Sequence, residues 1–97
     1  MARFDLYRAE VGFILDIQTD LLSGLTTRLV VPLLPLQGAP RPAGRLNPVL
    51  DVDGQLYSLQ PQMMGAISAH ALGRPVDNLI RHYDRIVAAI SMILNGF

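Results

Sequence analysis

Cysteine is absent from this 97-residue chain, which excludes disulfides and thiolate metal sites and fits a cytosolic protein. Lysine is absent as well, so every basic residue is arginine, a composition bias that carries no functional reading of its own. Neither sign of charge is in excess. Eight arginines balance eight acidic side chains, so no long-range positive field gathers phosphates, and the chain alone is not expected to bind nucleic acid. Long apolar runs are missing too. Leu29–Leu36, broken by Pro32 and Pro35, and Ile86–Leu94 fall well short of the ~20 residues that cross a bilayer. The first residues lack the apolar stretch of a secretion signal. The expectation is a cytoplasmic protein with no membrane association.

What the chain has in plenty is apolar surface. Hydrophobic residues are 51% of the sequence and charged residues 16%, a balance opposite to that of disordered chains. A chain of this length makes one domain, residues 1–97, and buries roughly two-thirds of its unfolded surface. The apolar surplus left over is best accommodated in a homodimer.

The first two-thirds of the chain reads as strands. Arg3 to Arg8 alternates, with Phe4 and Leu6 on one face and Arg3 and Asp5 on the other, as in a half-buried strand. Beyond a turn at Gly12, Val11, Phe13, Leu15 and Ile17 keep the period of two against Ile14, Asp16 and Gln18. Residues 19–27 read as a loop. Arg28–Leu34 is apolar on both faces and reads as a central, doubly covered strand. Pro32 inside it implies a bulge or an early end to pairing. Residues 35–45 hold three prolines and two glycines and form an exposed loop. Leu46–Val52 and Gln55–Leu59 flank Asp53-Gly54, the strongest hairpin signal in the chain. Met63–Leu72 suits a strand or a short helix, and the preceding strands favour a strand.

The last segment is helical. Asp77 or Asn78 suits the N-cap and Gly96 the C′ position. At 100° per residue, Leu79, Ile80, Tyr83, Ile86, Val87, Ile90, Ile93 and Leu94 form one apolar stripe that should face the core. The opposite side begins with Arg81 and Arg85, becomes Ala88, Ala89 and Met92, and ends at Asn95. A solvated face would keep placing charges, so the uncharged last two turns read as a docking surface. The fold class is therefore mostly β with one C-terminal α-helix.

No local motif for catalysis occurs: there is no HExxH, GxSxG, P-loop or GxGxxG. Asp51 and Asp53 are paired carboxylates, but Asp-x-Asp-Gly entering a hairpin is first a turn device, and the oxygen ligands of a metal loop do not follow. No metal and no cofactor are expected. One enzymatic alternative stays open, a scattered set drawn from Arg28, Asp16 and His70, such as small β-barrel ribonucleases use.

Taken in order, several stretches resemble the CcdB family of toxins. They are Phe4-Asp5-Leu6-Tyr7, Leu15-Asp16-Ile17-Gln18-Thr19-Asp20-Leu21-Leu22, Arg28-Leu29-Val30-Val31-Pro32-Leu33, Arg45-Leu46-Asn47-Pro48 with the Asp53-Gly54 hairpin, and Met92-Ile93-Leu94-Asn95-Gly96-Phe97. The resemblance spans essentially the whole chain. It implies an SH3-like antiparallel β barrel or sheet that forms homodimers, with the two C-terminal helices near the dimer axis. It also implies a toxin that is not an enzyme. The paired helix ends would enter the dimerisation region of the A subunit of DNA gyrase and trap the cleaved-DNA complex. A CcdA-like antitoxin would wrap the toxin, cover an overlapping surface, and regulate the pair's transcription with it.

Carried over by position, the gyrase-binding residues are Asn95, Gly96 and Phe97, with Met92 beside them. The antitoxin-binding residues are Asp20, Leu21, Leu22, Ser91 and Asn95, and the dimer interface includes Ile93 and Leu94. One departure bears on activity. The family pattern has a Trp before the Gly-hydrophobic end, and here Asn95 stands in its place. An aromatic anchor worth ~2 kcal/mol or more is thereby lost, and Phe97 supplies a ring two residues later. The alternatives are a ribonuclease toxin on the same barrel and a non-toxic binding protein of the same fold.

Overall fold

The computed structural model describes residues 2–39 and 41–97. β1 (Asp5–Arg8) and β2 (Phe13–Asp16) form a hairpin with Leu6 opposite Leu15 and Arg8 opposite Phe13. Its turn needs Gly12, which takes φ +69° and sits where a Cβ would collide with the Leu33 carbonyl oxygen. β3 (Thr27–Pro35) lies antiparallel to β2. β4 (Val49–Val52) and β5 (Gln55–Leu59) follow as a hairpin through Asp53 and Gly54, both at positive φ, as the sequence signal required. β6 (Gly65–Ser68) and the short β7 (Asp77–Asn78) complete the sheet.

All pairings among the described residues are antiparallel, in the order β4-β5-β3-β2-β1-β7, with β6 also against β3. β3 is the pivot. On one edge it runs along β2; on the other it pairs with β6 through Thr27–Val30 and with β5 through Leu33–Pro35. This change of partner curls the sheet into a half-barrel of SH3-like character. α1 (Tyr83–Asn95) packs Ile86 and Ala89 against the concave side, where Phe4, Leu6, Leu15, Val31, Leu33 and Leu59 are fully buried.

Pro32 does not end the strand. It stands opposite Ile14, and its carbonyl accepts from Gln60 N at 3.0 Å, at the point where the partner changes from β6 to β5. The missing N–H falls at that junction, where one ladder ends and the other begins. The expected loop over 35–45 has β3 reaching Pro35 and a 3₁₀ turn at Leu36–Gly38; Pro40 lies outside the described residues. Residues 63–72 resolve into the end of one 3₁₀ turn, β6, and a second 3₁₀ turn at Ala69–Ala71, so the strand expectation holds for four residues only.

The expected half-buried character of the first strands is corrected. Asp5, Tyr7, Asp16 and Arg28, on the side away from the core, are buried as well. The segment 69–76 links the β3 and β1 edges. It leaves β3 with Ala69 N donating to Thr26 O, reaches β1 with Val76 N donating to Leu6 O, and carries Leu72, buried outside the main core.

The helix start is corrected too. Asp77 and Asn78 belong to β7, and α1 begins at Tyr83 without a side-chain cap. Asn78 braces the start of a 3₁₀ turn at Ile80–His82, where its Oδ1 accepts from Ile80 N at 2.9 Å. Its Nδ2 donates to Arg3 O and Asp5 Oδ1, ties that hold this residue to β1. The tighter turn advances ~120° per residue instead of 100°, so Leu79 and Ile80 are out of phase with the residues of α1. Ile80 and Tyr83 are exposed, while Ala89, expected on the outer face, is fully buried. Ile93 lies about 20° from Ile86 around the helix, in the core-facing sector, yet it is 39% exposed. The core-facing stripe outruns the core it packs on.

Candidate partner-binding surface

The exposed end of α1 is a folded-back tip. Gly96 takes φ +81° and its N–H donates to Met92 O at 2.9 Å. That left-handed residue costs glycine little and most others ~1–2 kcal/mol. The chain thereby turns back, and the Ser91 hydroxyl donates to Phe97 O at 2.6 Å. Asn95 Nδ2 reaches Ser91 Oγ at 3.5 Å. The structure therefore gathers Ser91, Met92, Asn95, Gly96 and Phe97 into one last turn. Ser91 and Met92 are part-buried there, whereas Leu94 is 66% exposed and Phe97 77%. Burying such a ring is worth ~1.5–3 kcal/mol. No basic side chain stands in the last turn, so the partial negative charge of the helix end is left for a donor on another molecule.

Asp20, Leu21 and Leu22 form a 3₁₀ turn whose first N–H groups are met by Thr19, with Oγ1 accepting from Leu21 N. Asp20 Oδ1 accepts from Arg3 N at 2.9 Å, which ties the turn to the N-terminal segment. Leu21 is 92% exposed, and Leu22 and Leu25 are about half exposed. Among the described residues no hydrogen bond joins this turn to the helix tip. They are two separate apolar features.

Behind the turn lies a polar network that sequence reading missed. Asp16 Oδ2 accepts from Arg28 Nε at 2.7 Å, with both side chains sealed from solvent. Asp16 Oδ1 accepts from Gln18 N. Gln18 then spans outward, its Nε2 donating to Leu22 O at 2.9 Å and its Oε1 accepting from Leu29 N at 3.1 Å. Gln18 thus fixes the turn that presents Leu21. Its only signal in the sequence is a polar residue on the face opposite Leu15 and Ile17, which alternation assigns to solvent.

The scattered catalytic set is only half assembled. Asp16 and Arg28 meet, but buried, whereas His70 is exposed on the 3₁₀ turn after β6. The hydrogen bond to Asp16 raises the Arg28 pKa further, and burial pushes the Tyr7 phenol up, with Asp5 and Asp16 adding to the effect. Arg28 Nη1 and Nη2 and the Tyr7 hydroxyl are buried without hydrogen-bond partners. Asp51 serves its turn, accepting from Gly54 N at 2.9 Å. Among the described residues no three His, Cys, Asp or Glu side chains cluster as a metal site, and no helix is long and apolar enough to cross a membrane.

A groove of about 450 Å³ runs between the outer side of α1 and the loop before β4, lined by Gly44, Arg45, Asp84, Arg85 and Ala88. Its exposed lining is mostly apolar.

The model of the CcdB protein family matches residues 3–96. No curated protein matches the sequence. Among solved structures, a mycobacterial endoribonuclease in complex with its cognate antitoxin superposes with a TM-score of 0.79 at 13% identity, over 97% of this chain and 94% of that one. At that identity the likeness speaks for the fold.

Proposed function

The chain belongs to the CcdB family, and from that premise we propose that it is the toxin of a toxin–antitoxin pair and acts by docking, not by catalysis. Its homodimer presents two helix tips that bind the A subunit of DNA gyrase and hold the enzyme on cleaved DNA. The observation that carries this reading is the uncovered apolar end of α1. Ile93 continues the core-facing stripe beyond the core, and Leu94 and Phe97 stand out past it. A chain that leaves such side chains in water has a second molecule to cover them.

The roles divide along the tip. Ile93 and Leu94 serve the dimer; Met92, Asn95, Gly96 and Phe97 meet gyrase. The antitoxin takes Asp20, Leu21 and Leu22 on one feature and Ser91 with Asn95 on the other. No hydrogen bond joins those two among the described residues, which suits an extended chain that reaches both. The matching endoribonuclease was solved with its own antitoxin, which supports a partner of that kind here.

The ribonuclease reading draws on the fold of that same neighbour. Against it stands the sealing of Asp16 and Arg28 away from any substrate. One assay separates the two: purified protein incubated with gyrase, ATP and supercoiled plasmid, and in parallel with RNA. Linear DNA released on denaturation supports docking. RNA cleavage without gyrase overturns it. Deleting Gly96-Phe97 should abolish the linear product with little change in melting temperature, and a large loss of stability would mean the tip is structural.

A further inference from the structure

The groove between α1 and the loop before β4 is not part of the tip, yet it is continuous with it. Arg85, Ala88, Met92 and Asn95 follow one another at spacings of three and four and so share one side of the helix. From Arg85 to Asn95 the rise is ~15 Å. An extended peptide covers that distance in about five residues.

The chemistry of the groove is specific in sign. Arg45 and Arg85 both line it, and among the described residues neither belongs to an ion pair; those present are Asp16 with Arg28 and Asp77 with Arg81. Asp84 is the one acidic side chain in the lining, which leaves a surplus of one positive charge beside a mostly apolar floor at Ala88. Gly44, at φ +55°, bends the loop alongside the helix. An occupant that complements this has a carboxylate for the two guanidinium groups and an aliphatic side chain for the floor.

We propose that the groove is a second docking site for the antitoxin: an extended, acidic segment continues from Asn95 along the outer side of α1 and sets a carboxylate between Arg45 and Arg85. The proposal rests on the antitoxin reading above and adds a partner chemistry and a spacing to it. The acidic residue lies about five positions from the one that contacts Asn95. The length of uncharged helix between them, Ala88 to Met92, is then covered by the same peptide. Electrostatic capture at the groove would speed the first encounter, with apolar contacts along α1 and the tip setting the residence time.

The test uses the full chain and 15-residue synthetic peptides tiling the protein encoded beside its gene, with affinities from calorimetry. The tile that binds best is expected to hold an acidic residue. Combining Arg45→Glu with Arg85→Glu should weaken that tile roughly tenfold at low salt, with the difference shrinking towards 1 M salt as the screening length falls to ~3 Å. Replacing the tile's acidic residue by Lys should restore binding to this variant. Ala88→Trp should weaken the tile at every salt concentration, because it fills the floor. Melting temperatures of both variants serve as the fold control. If the neighbouring protein binds and neither variant changes its affinity, the groove proposal is overturned and the antitoxin reading stands. If nothing encoded beside the gene binds the wild-type chain, both fall together.

Discussion

Removing one member of the Asp16–Arg28 pair should be costly, and removing both should not. The pair is joined at 2.7 Å with side-chain exposures of 1% and 0%, so either single substitution leaves a charge in a site that water does not reach. Such changes cost ~3–5 kcal/mol, a large share of the ~5–15 kcal/mol that holds a domain of this size. The two singles are not equivalent. Asp16→Leu strands a guanidinium whose Nη1 and Nη2 already lack partners, and it also deprives Gln18 N of its acceptor. Arg28→Met removes those two unsatisfied groups together with the charge, which returns part of the loss at ~1–3 kcal/mol for each group. Asp16→Leu is therefore the worse of the pair. Urea unfolding followed by circular dichroism, at fixed protein concentration, resolves this. With a slope of ~1–2 kcal/mol/M, Asp16→Leu should lose about 1.5–5 M in midpoint and Arg28→Met less. The double variant should recover to within ~1–2 kcal/mol of wild type, a strongly non-additive cycle. If Asp16→Leu costs less than ~1 kcal/mol, the guanidinium is hydrated, the pair is not sealed, and Arg28 is open to a substrate after all.

Gly12→Ala should destabilise by more than ~2 kcal/mol, since φ +69° and the Leu33 carbonyl both oppose a Cβ, whereas Gly54→Ala meets only the strain of φ +84° in open space and should cost ~1 kcal/mol; equal losses in chemical denaturation would refute the collision. The hydrogen bond from Arg81 holds the Asp77 carboxylate below its usual pKa of 3.8. A depressed carboxylate contributes stability above its unfolded value and loses it as pH falls through the folded one, so Asp77→Asn should cost under ~1 kcal/mol at pH 7, given the partial exposure of the pair, and progressively less as pH falls below 3.8 through the folded value. Melting curves in which that gap widens with acid would contradict the sign. Asn95→Trp should lower the concentration needed to linearise plasmid with gyrase by ~10- to 30-fold, if the ring adds ~1.4–2 kcal/mol of contact; an unchanged titration would mean that affinity comes from another surface.

Features that depend on neighbours in the chain are legible in the sequence alone. The Asp53-Gly54 turn needs two residues at positive φ, and the sequence supplies the pair that adopts it most readily. Gly96 ends the helix for the same local reason. The period of two in β1 and β2 and the helical period after Tyr83 follow from backbone geometry alone, and the balance of charge needs only counting. The uncharged final turns of α1 are visible too, and with them the outline of a docking surface.

Which side of each element is covered was decided only by contacts between residues far apart in sequence. Asp16 and Arg28 read as a solvent-facing acid and a strand-opening base, and only the register of β2 with β3 brings them together as a buried pair. Ala89 reads as outward, but it lies about 60° from Ile86 around α1 and is buried with it, so only the packing of the helix on the sheet shows which edge of the stripe faces inward. Ile93 and Leu94 share the stripe of Ile86, and periodicity cannot tell them apart. What exposes them is that the half-barrel stops short of the helix end, because burial depends on how far the packed sheet extends and not on the period of the helix laid across it.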